Sequence, residues 1–380
     1  MKVLLLYDYP PPPAGLATQG DLLYKGLLEL EVETYAAHFE SATEKEWYYR
    51  WFKPDVVVGV GYWGYAPQLI LHPQQYGIQP VPWLVADGYI ANYRDVLNSL
   101  PLILVTSNWV KEVYIRDGIK GDIIEVLPVG CNTDLFRPYG KNDQKVMSVR
   151  EMLGISPDEL MILTVGGDAA SKGAQEVLHA LAMLDSKTLN WRYICKVWPQ
   201  SRTKLQNLFD LEMIEQLGLE KNVSYVTNTT SRNLMPYLLG ACDIYAAPSR
   251  LEGFGMAQVE ANACGKPVIG LKAMGMLDTM IHGETAFLAN VAQEIILNEV
   301  IVGKESGFKS RHKIVFDSPR VAEYRASVDD IANYLMTLMT NPALRDKMGK
   351  AGRTRVVQNF DYRVVAKRFV QIIHEKLGID

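Results

Sequence analysis

Cysteine and histidine are scarce in this chain, four and six residues among 380. Cys131, Cys195, Cys242 and Cys264 form no C-x-x-C pair and no zinc spacing. Neither a disulfide scaffold nor a zinc module is encoded, and buried free thiols in a reducing compartment are expected. No apolar run approaches the roughly 18 residues of a membrane span. The N-terminal MKVLLLYDYP holds one lysine and a short apolar run, too short for a secretory signal, and reads as a first buried strand. A cytoplasmic protein is expected, with any membrane contact peripheral. There is no excess of positive charge: 39 Lys and Arg stand against 43 Asp and Glu, net −4. A general nucleic-acid binder needs a basic surface, so nucleic acid is not an expected partner. The chain also lacks an Asp-x-Asp metal motif, a G-x-G-x-x-G after the first strand, a Walker loop and a Ser/His/Asp arrangement. No metal and no cofactor need be invoked.

At this length the chain suits two domains, each able to bury a core. Val3 to Leu6, Val56 to Val60, Trp83 to Val85 and Ile103 to Val105 are short, near-continuous apolar runs. Buried parallel strands have that pattern, and helical segments such as Leu16 to Leu28 and Ser107 to Ile115 lie between them. Met161 to Val165 restarts the alternation, followed by strands at Tyr193–Val197, Val223–Val226, Ile244–Ala247 and Val268–Leu271. The reading is α/β, with two doubly wound parallel sheets. The first domain spans residues 1 to 140, with a linker at about 137 to 145. The second spans 141 to 361. Three helices close the chain: Val328 to Thr340, Pro342 to Asn359 and Val364 to Leu377. Residues 290 to 326 look like an insertion, with a basic run of Lys304, Lys309, Arg311, His312 and Lys313 that reads as a solvated loop or as a contact for an anionic acceptor or membrane surface.

The densest chemistry lies between residues 248 and 289, PSRLEGFGMAQVEANACGKPVIGLKAMGMLDTMIHGETAFLA. A tight loop, Glu252-Gly253-Phe254-Gly255, follows a strand and opens an amphipathic helix, Met256 to Cys264. Strand–loop–helix junctions are where α/β sheets bind ligands. The helix N-terminus offers unpaired N–H groups and partial positive charge, which suits a phosphate. Carboxylates only accept hydrogen bonds, so Glu252 and Glu260 suit sugar and ribose hydroxyls. Taken alone, they read more simply as a helix cap and a solvated helix residue.

The order P-S-x-x-E-G-F-G, seven residues between the glutamates, G-x-P-V-I and a later H-G-E-T resembles the nucleotide-binding signature of retaining GT-B glycosyltransferases of the family 4, or group 1, type. Residues 102 to 138 are similar to the same family through Pro128, Gly130, Asp134, Phe136 and Pro138. The resemblance implies two Rossmann-like domains facing a cleft, with the last helix, about 362 to 380, joined to the first, acceptor-side domain. It implies a metal-independent transferase that moves a sugar from a UDP-, GDP- or ADP-linked donor to a sugar, glycolipid or other small acceptor. It places the donor against Gly15, Gly166, Lys172, Arg250, Glu252, Gly253, Phe254, Gly255 and Glu260, with Glu252, Lys172 and Asp87 nearest the chemistry.

The departures from the family are specific. Gly15 stands alone where relatives carry a glycine pair. Asp87 or Gly88 stands where many have histidine, and Gly167 where an arginine joins Lys172 on the diphosphate. Arg250 and Lys196 are candidate substitutes for that arginine. Trp198-Pro199 replaces the usual glycines after the strand, and Asp278 follows the Gly275 turn where glutamate is usual. Tyr62 and Trp63 are candidate acceptor-stacking faces. The rival expectation is a nucleotide-sugar-binding protein of the same fold without turnover.

Overall fold

The computed structural model describes the chain except residues 87, 141, 185–188, 200, 304–305 and 380, and the side chains of 201–205. It divides into two compact units, residues 1–132 with 296–322 and 359–380, and residues 133–295 with 323–358. Residues 133–140 thus fall with the second unit, and part of the expected insertion falls with the first.

The first unit is built on six parallel strands: β1 (Lys2–Tyr7), β2 (Glu33–His38), β3 (Val56–Tyr62), β4 (Gln79–Val85), β5 (Ile103–Val105) and β6 (Ile124–Val126), in the order β2-β1-β3-β4-β5-β6. Leu4 pairs with Tyr35 and Val57, and Val3 to Leu6 are wholly buried, as sheets covered on both faces require. Helices α1 (Gly15–Glu29), α2 (Ala42–Trp51), α3 (His72–Gln75), α4 (Arg94–Asn98) and α5 (Asn108–Arg116) lie between the strands. Helix α5 starts where Ser107 Oγ accepts the Val110 N–H at 3.2 Å. Trp83 is fully buried, and its indole N–H finds Leu127 O at 2.9 Å.

The second unit repeats the plan. Helix α6 (Gln144–Met152) leads in. Then come β7 (Leu160–Val165), α7 (Ala174–Ala182), β8 (Trp191–Val197), α8 (Ser201–Gln216), β9 (Val223–Thr227), α9 (Met235–Ala241), β10 (Ile244–Ala246), α10 (Met256–Ala263), β11 (Val268–Leu271), α11 (Met276–Thr279) and β12 (Ala286–Ala289). The parallel sheet runs β12-β11-β10-β7-β8-β9. The expected insertion, residues 290 to 326, is largely a long two-stranded hairpin, β13 (Val291–Val302) and β14 (His312–Ala326). His312 and Lys313 of the basic run lie on β14, where Lys313 pairs with Glu299 at 2.6 Å. Lys309 and Arg311 are exposed at the turn, and Lys304 lies outside the described residues.

Helices α12 (Val328–Thr340) and α13 (Pro342–Asn359) complete the second unit, and α14 (Tyr362–Leu377) belongs to the first. Gly26 of α1 makes the α14 contact possible: a Cβ there would lie 2.6 Å from the Ala366 Cβ. The four cysteines are buried, and none is in a disulfide. Burial pushes the Cys195 and Cys242 thiols up to about 12, so they stay protonated at neutral pH.

Candidate active site

In the second unit, the ends of β7 and β10 carry the loops that matter. After β7, the sequence GGDAASKG turns on itself: Asp168 Oδ1 accepts the Ser171 N–H at 2.6 Å, and a short 3₁₀ turn ends at Lys172. Gly173 follows with φ +78°, a left-handed conformation that favours glycine. A Cβ at Gly173 would sit 2.4 Å from Pro248 O, so the two loops touch only because this residue has no side chain. Gly166 has a related role. A Cβ there would fall 2.6 Å from Lys172 Cγ, so its absence lets the lysine stem fold inward.

Lys172 Nζ meets Glu252 Oε2 at 2.6 Å, a contact between side chains 80 positions apart. The other carboxylate oxygen accepts the Gly255 N–H at 3.0 Å. Glu252 is therefore both an ion-pair partner and the cap of the loop before α10. Burial works to raise its carboxyl pKa, but Lys172 and the Gly255 and Phe254 amides outweigh it and hold the group below the ordinary glutamate range.

The loop is fixed from below by the Gly275 turn. Gly275 N donates to Glu252 O at 3.1 Å, and a Cβ at Gly275 would lie 2.2 Å from Gly253 O. Gly255 has φ +93°. Phe254 is 4 % exposed, so only its backbone is presented. Helix α10 then runs into the core. The expected amphipathic face is not found: Gln258 to Ala263 are all buried, because β11 and neighbouring helices enclose it. Glu260 is accordingly not a solvated helix residue. It is 4 % exposed and its Oε1 lies 2.5 Å from Arg232, whose guanidinium also covers the Phe136 ring at 4.9 Å. Arg232 had no signal in the sequence, because nothing in its spacing ties it to Glu260.

The two candidate stand-ins for the missing arginine are otherwise occupied or enclosed. Arg250 is 8 % exposed and forks onto Glu176 at 3.0 and 3.1 Å, with Gln175 at 2.8 Å. Lys196 is 3 % exposed, and burial lowers its pKa. It borders an apolar pocket with Val149, Leu153, Leu234, Leu238 and Asn228. Gly167 itself lies under Trp198, whose ring a Cβ there would meet at 3.5 Å, an ordinary contact.

In the first unit, Gly15 begins α1 after Ala14, whose backbone is extended. Trp63 is 3 % exposed and belongs to the core, so it does not offer the open face expected of it. Tyr62 is half-buried, 4.5 Å from the Tyr65 ring. Asp87 lies outside the described residues.

Two six-stranded parallel sheets with helices between their strands make a two-domain, Rossmann-like α/β fold of the GT-B kind. Residues 148–315 match the glycosyl transferases group 1 family. Among similar proteins, MMP alpha-(1->4)-mannosyltransferase of Mycolicibacterium hassiacum is 22 % identical over 77 % of this chain and 58 % of its own. D-inositol 3-phosphate glycosyltransferase of Corynebacterium glutamicum is 30 % identical over 53 % of this chain and 48 % of its own. The chain thus spans about half the length of these relatives. Among solved structures, Anabaena HepE in complex with UDP and glucose aligns with TM-score 0.73 at 17 % identity, covering 98 % of this chain and 99 % of that one. Sucrose-phosphate synthase from Thermosynechococcus elongatus aligns with TM-score 0.74 at 17 % identity, covering 99 % of both. Among the described residues, no helix is long and apolar enough to cross a membrane.

Proposed function

We propose that this protein transfers a sugar from a nucleotide diphosphate sugar to an acceptor hydroxyl, with retention at the anomeric carbon and without a metal ion. The observation that carries the reading is the Lys172–Glu252–Gly255 constellation at the end of β10, directly before α10. The ammonium of Lys172 has three N–H donors, and one goes to Glu252. The others, with the first amides of α10, supply positive charge for a departing diphosphate. Glu252 keeps lone pairs for the hydroxyls of the donor sugar, and Glu260, set by Arg232, serves the ribose. The anomeric C–O bond breaks as the acceptor oxygen attacks from the same face, and the acceptor proton passes to the leaving diphosphate. UDP and glucose in HepE support a nucleotide-sugar donor.

One observation favours a second reading, a nucleotide-sugar-binding protein without turnover. With Gly167 in place of an arginine and Arg250 committed to Glu176, Lys172 is left without a guanidinium partner at the diphosphate. Calorimetric titration with UDP, GDP and ADP, followed by mass spectrometry of their sugar conjugates, separates the two. Binding with release of sugar supports the transferase, binding without turnover the second reading, and no binding defeats both.

A further inference from the structure

The β13–β14 hairpin lies in sequence beside the second unit, yet residues 296–322 are compact with the first. Its attachment is specific. Arg320, 7 % exposed, donates from Nε to Asp117 Oδ1 at 3.0 Å, and Asp117 is 5 % exposed. The other oxygen of Asp117 accepts the Ile90 N–H at 2.7 Å. Arg116 donates to Gly88 O at 2.6 Å. Asn92 Nδ2 donates to Ser306 O at 3.3 Å, and a Cβ at Gly307 would lie 2.1 Å from the Tyr93 hydroxyl oxygen. The segment 88–93 follows β4, at the carboxyl edge of the sheet where α/β folds bind ligands. It is thus held from the hairpin by the buried Arg320–Asp117 ion pair and by direct contacts at Asn92 and Tyr93.

The hairpin also extends a row of rings. Tyr62 and Trp63 lie 5.6 Å apart, Trp63 and Tyr89 6.3 Å, and Tyr89 and Phe316 of β14 5.4 Å. Tyr62, Tyr89 and Phe316 are half-buried, and the Arg320 guanidinium stacks 5.0 Å from the Phe316 ring.

We propose that the hairpin is an acceptor-selecting element. Phe316 adds a stacking face for a sugar ring of the acceptor, and Arg320 is a positioning residue that acts through Asp117 on residues 88–93. Tyr89 and Phe316, half-buried and 5.4 Å apart, offer apolar ring surface to the C–H faces of a pyranose, which pack on rings without needing charge; Trp63 backs them from the core. This assignment of the row to an acceptor rests on the proposed transferase function.

The test uses the full chain as wild type, Phe316→Ala, Arg320→Met and Arg320→Lys. Amide hydrogen exchange over residues 88–93 reads the brace. At least tenfold faster exchange is expected in Arg320→Met, confined to that segment, with a smaller rise in Arg320→Lys. Unchanged exchange, or a rise spread over the whole unit, overturns the positioning role. Saturation-transfer NMR with methyl α-D-glucopyranoside reads the stacking face, and at least fivefold weaker binding to Phe316→Ala is expected with UDP affinity unchanged. No binding of the glucoside to wild type, equal binding to Phe316→Ala, or a parallel loss of UDP affinity overturns the selecting role. Failure of wild type to bind UDP, GDP or ADP would instead strike the donor reading of the second unit, so the two failures are distinguishable.

Discussion

Lys172 Nζ lies 2.6 Å from Glu252 Oε2, and the opposite oxygen of the same carboxylate takes the Gly255 N–H. One side chain thus joins the loop after β7 to the loop after β10 and fixes the start of α10. Lys172→Met should weaken diphosphate binding by about tenfold or more, as loss of one charged hydrogen bond does. Calorimetry with UDP or GDP reads it, and unchanged affinity would remove Lys172 from the phosphate site.

The same pair sets a pH dependence. Lys172 and the loop amides hold the Glu252 carboxyl below its ordinary range, so the folded state favours the ionised form. Its contribution to stability is complete above the unfolded value of about 4.3 and is lost as pH falls through the lower folded value. Wild type should lose thermal stability over that acid window more steeply than Glu252→Gln. Parallel curves for the two proteins would refute the linkage.

Glu260 and Arg232 form a second buried pair, 2.5 Å apart. Glu260→Gln should reduce affinity for a nucleoside diphosphate severalfold and leave affinity for inorganic pyrophosphate unchanged. If both ligands lose equally, or only the melting temperature moves, the pair is structural and does not touch the ribose.

Arg250 is expected to matter for stability. It is 8 % exposed and doubly bonded to Glu176, so removing it leaves that buried carboxylate with Arg325 alone, 3.3 Å away. Arg250→Met should cost about 3 kcal/mol, the usual range for breaking a buried pair. Denaturant unfolding measures this. A stable variant with weakened diphosphate binding would instead make Arg250 the substitute for the arginine that Gly167 replaces.

Lys45 is an unrelated liability in the first unit. It is 1 % exposed, its ammonium donates to Gln68 O at 3.1 Å, and burial lowers its pKa to about 8. The unfolded chain binds more protons than the folded one between about 8 and the ordinary lysine value of about 10.4, so stability rises with pH across that window. Lys45→Met should remove this rise and stabilise the protein at pH 7. A variant no more stable than wild type at pH 7 contradicts the prediction.

The sequence was most legible where burial on two faces left continuous apolar runs. The strands at Val3–Leu6, Val56–Val60, Ile103–Val105 and Val268–Leu271 are found where those runs lie. Strand β2 (ETYAAH) escaped notice because it is the edge strand of its sheet and mixes polar with small residues. Helix α6 is polar for most of its length and gives little periodic signal. The strands of the hairpin give no buried-strand signal because both are largely solvent-exposed, with Ile301 and Val315 outward at 66 % and 67 %. In the site, the order of glycines and glutamates around residue 252 was visible. The pairing of side chains was not: Lys172 with Glu252, Arg232 with Glu260 and Arg250 with Glu176 all join distant positions, and no local spacing encodes them. Trp63 looked like a ligand face because a glycine-rich loop usually lies at the surface, but here it packs into the core.

The most direct test of the central claim is release of sugar from UDP-glucose, GDP-mannose and ADP-glucose, followed by mass spectrometry for wild type and Glu252→Gln. Wild type is expected to turn over one donor slowly and the variant to lose about a hundredfold, the scale on which removing one transition-state contact acts. Turnover of none of the three, or equal turnover by both proteins, would contradict it.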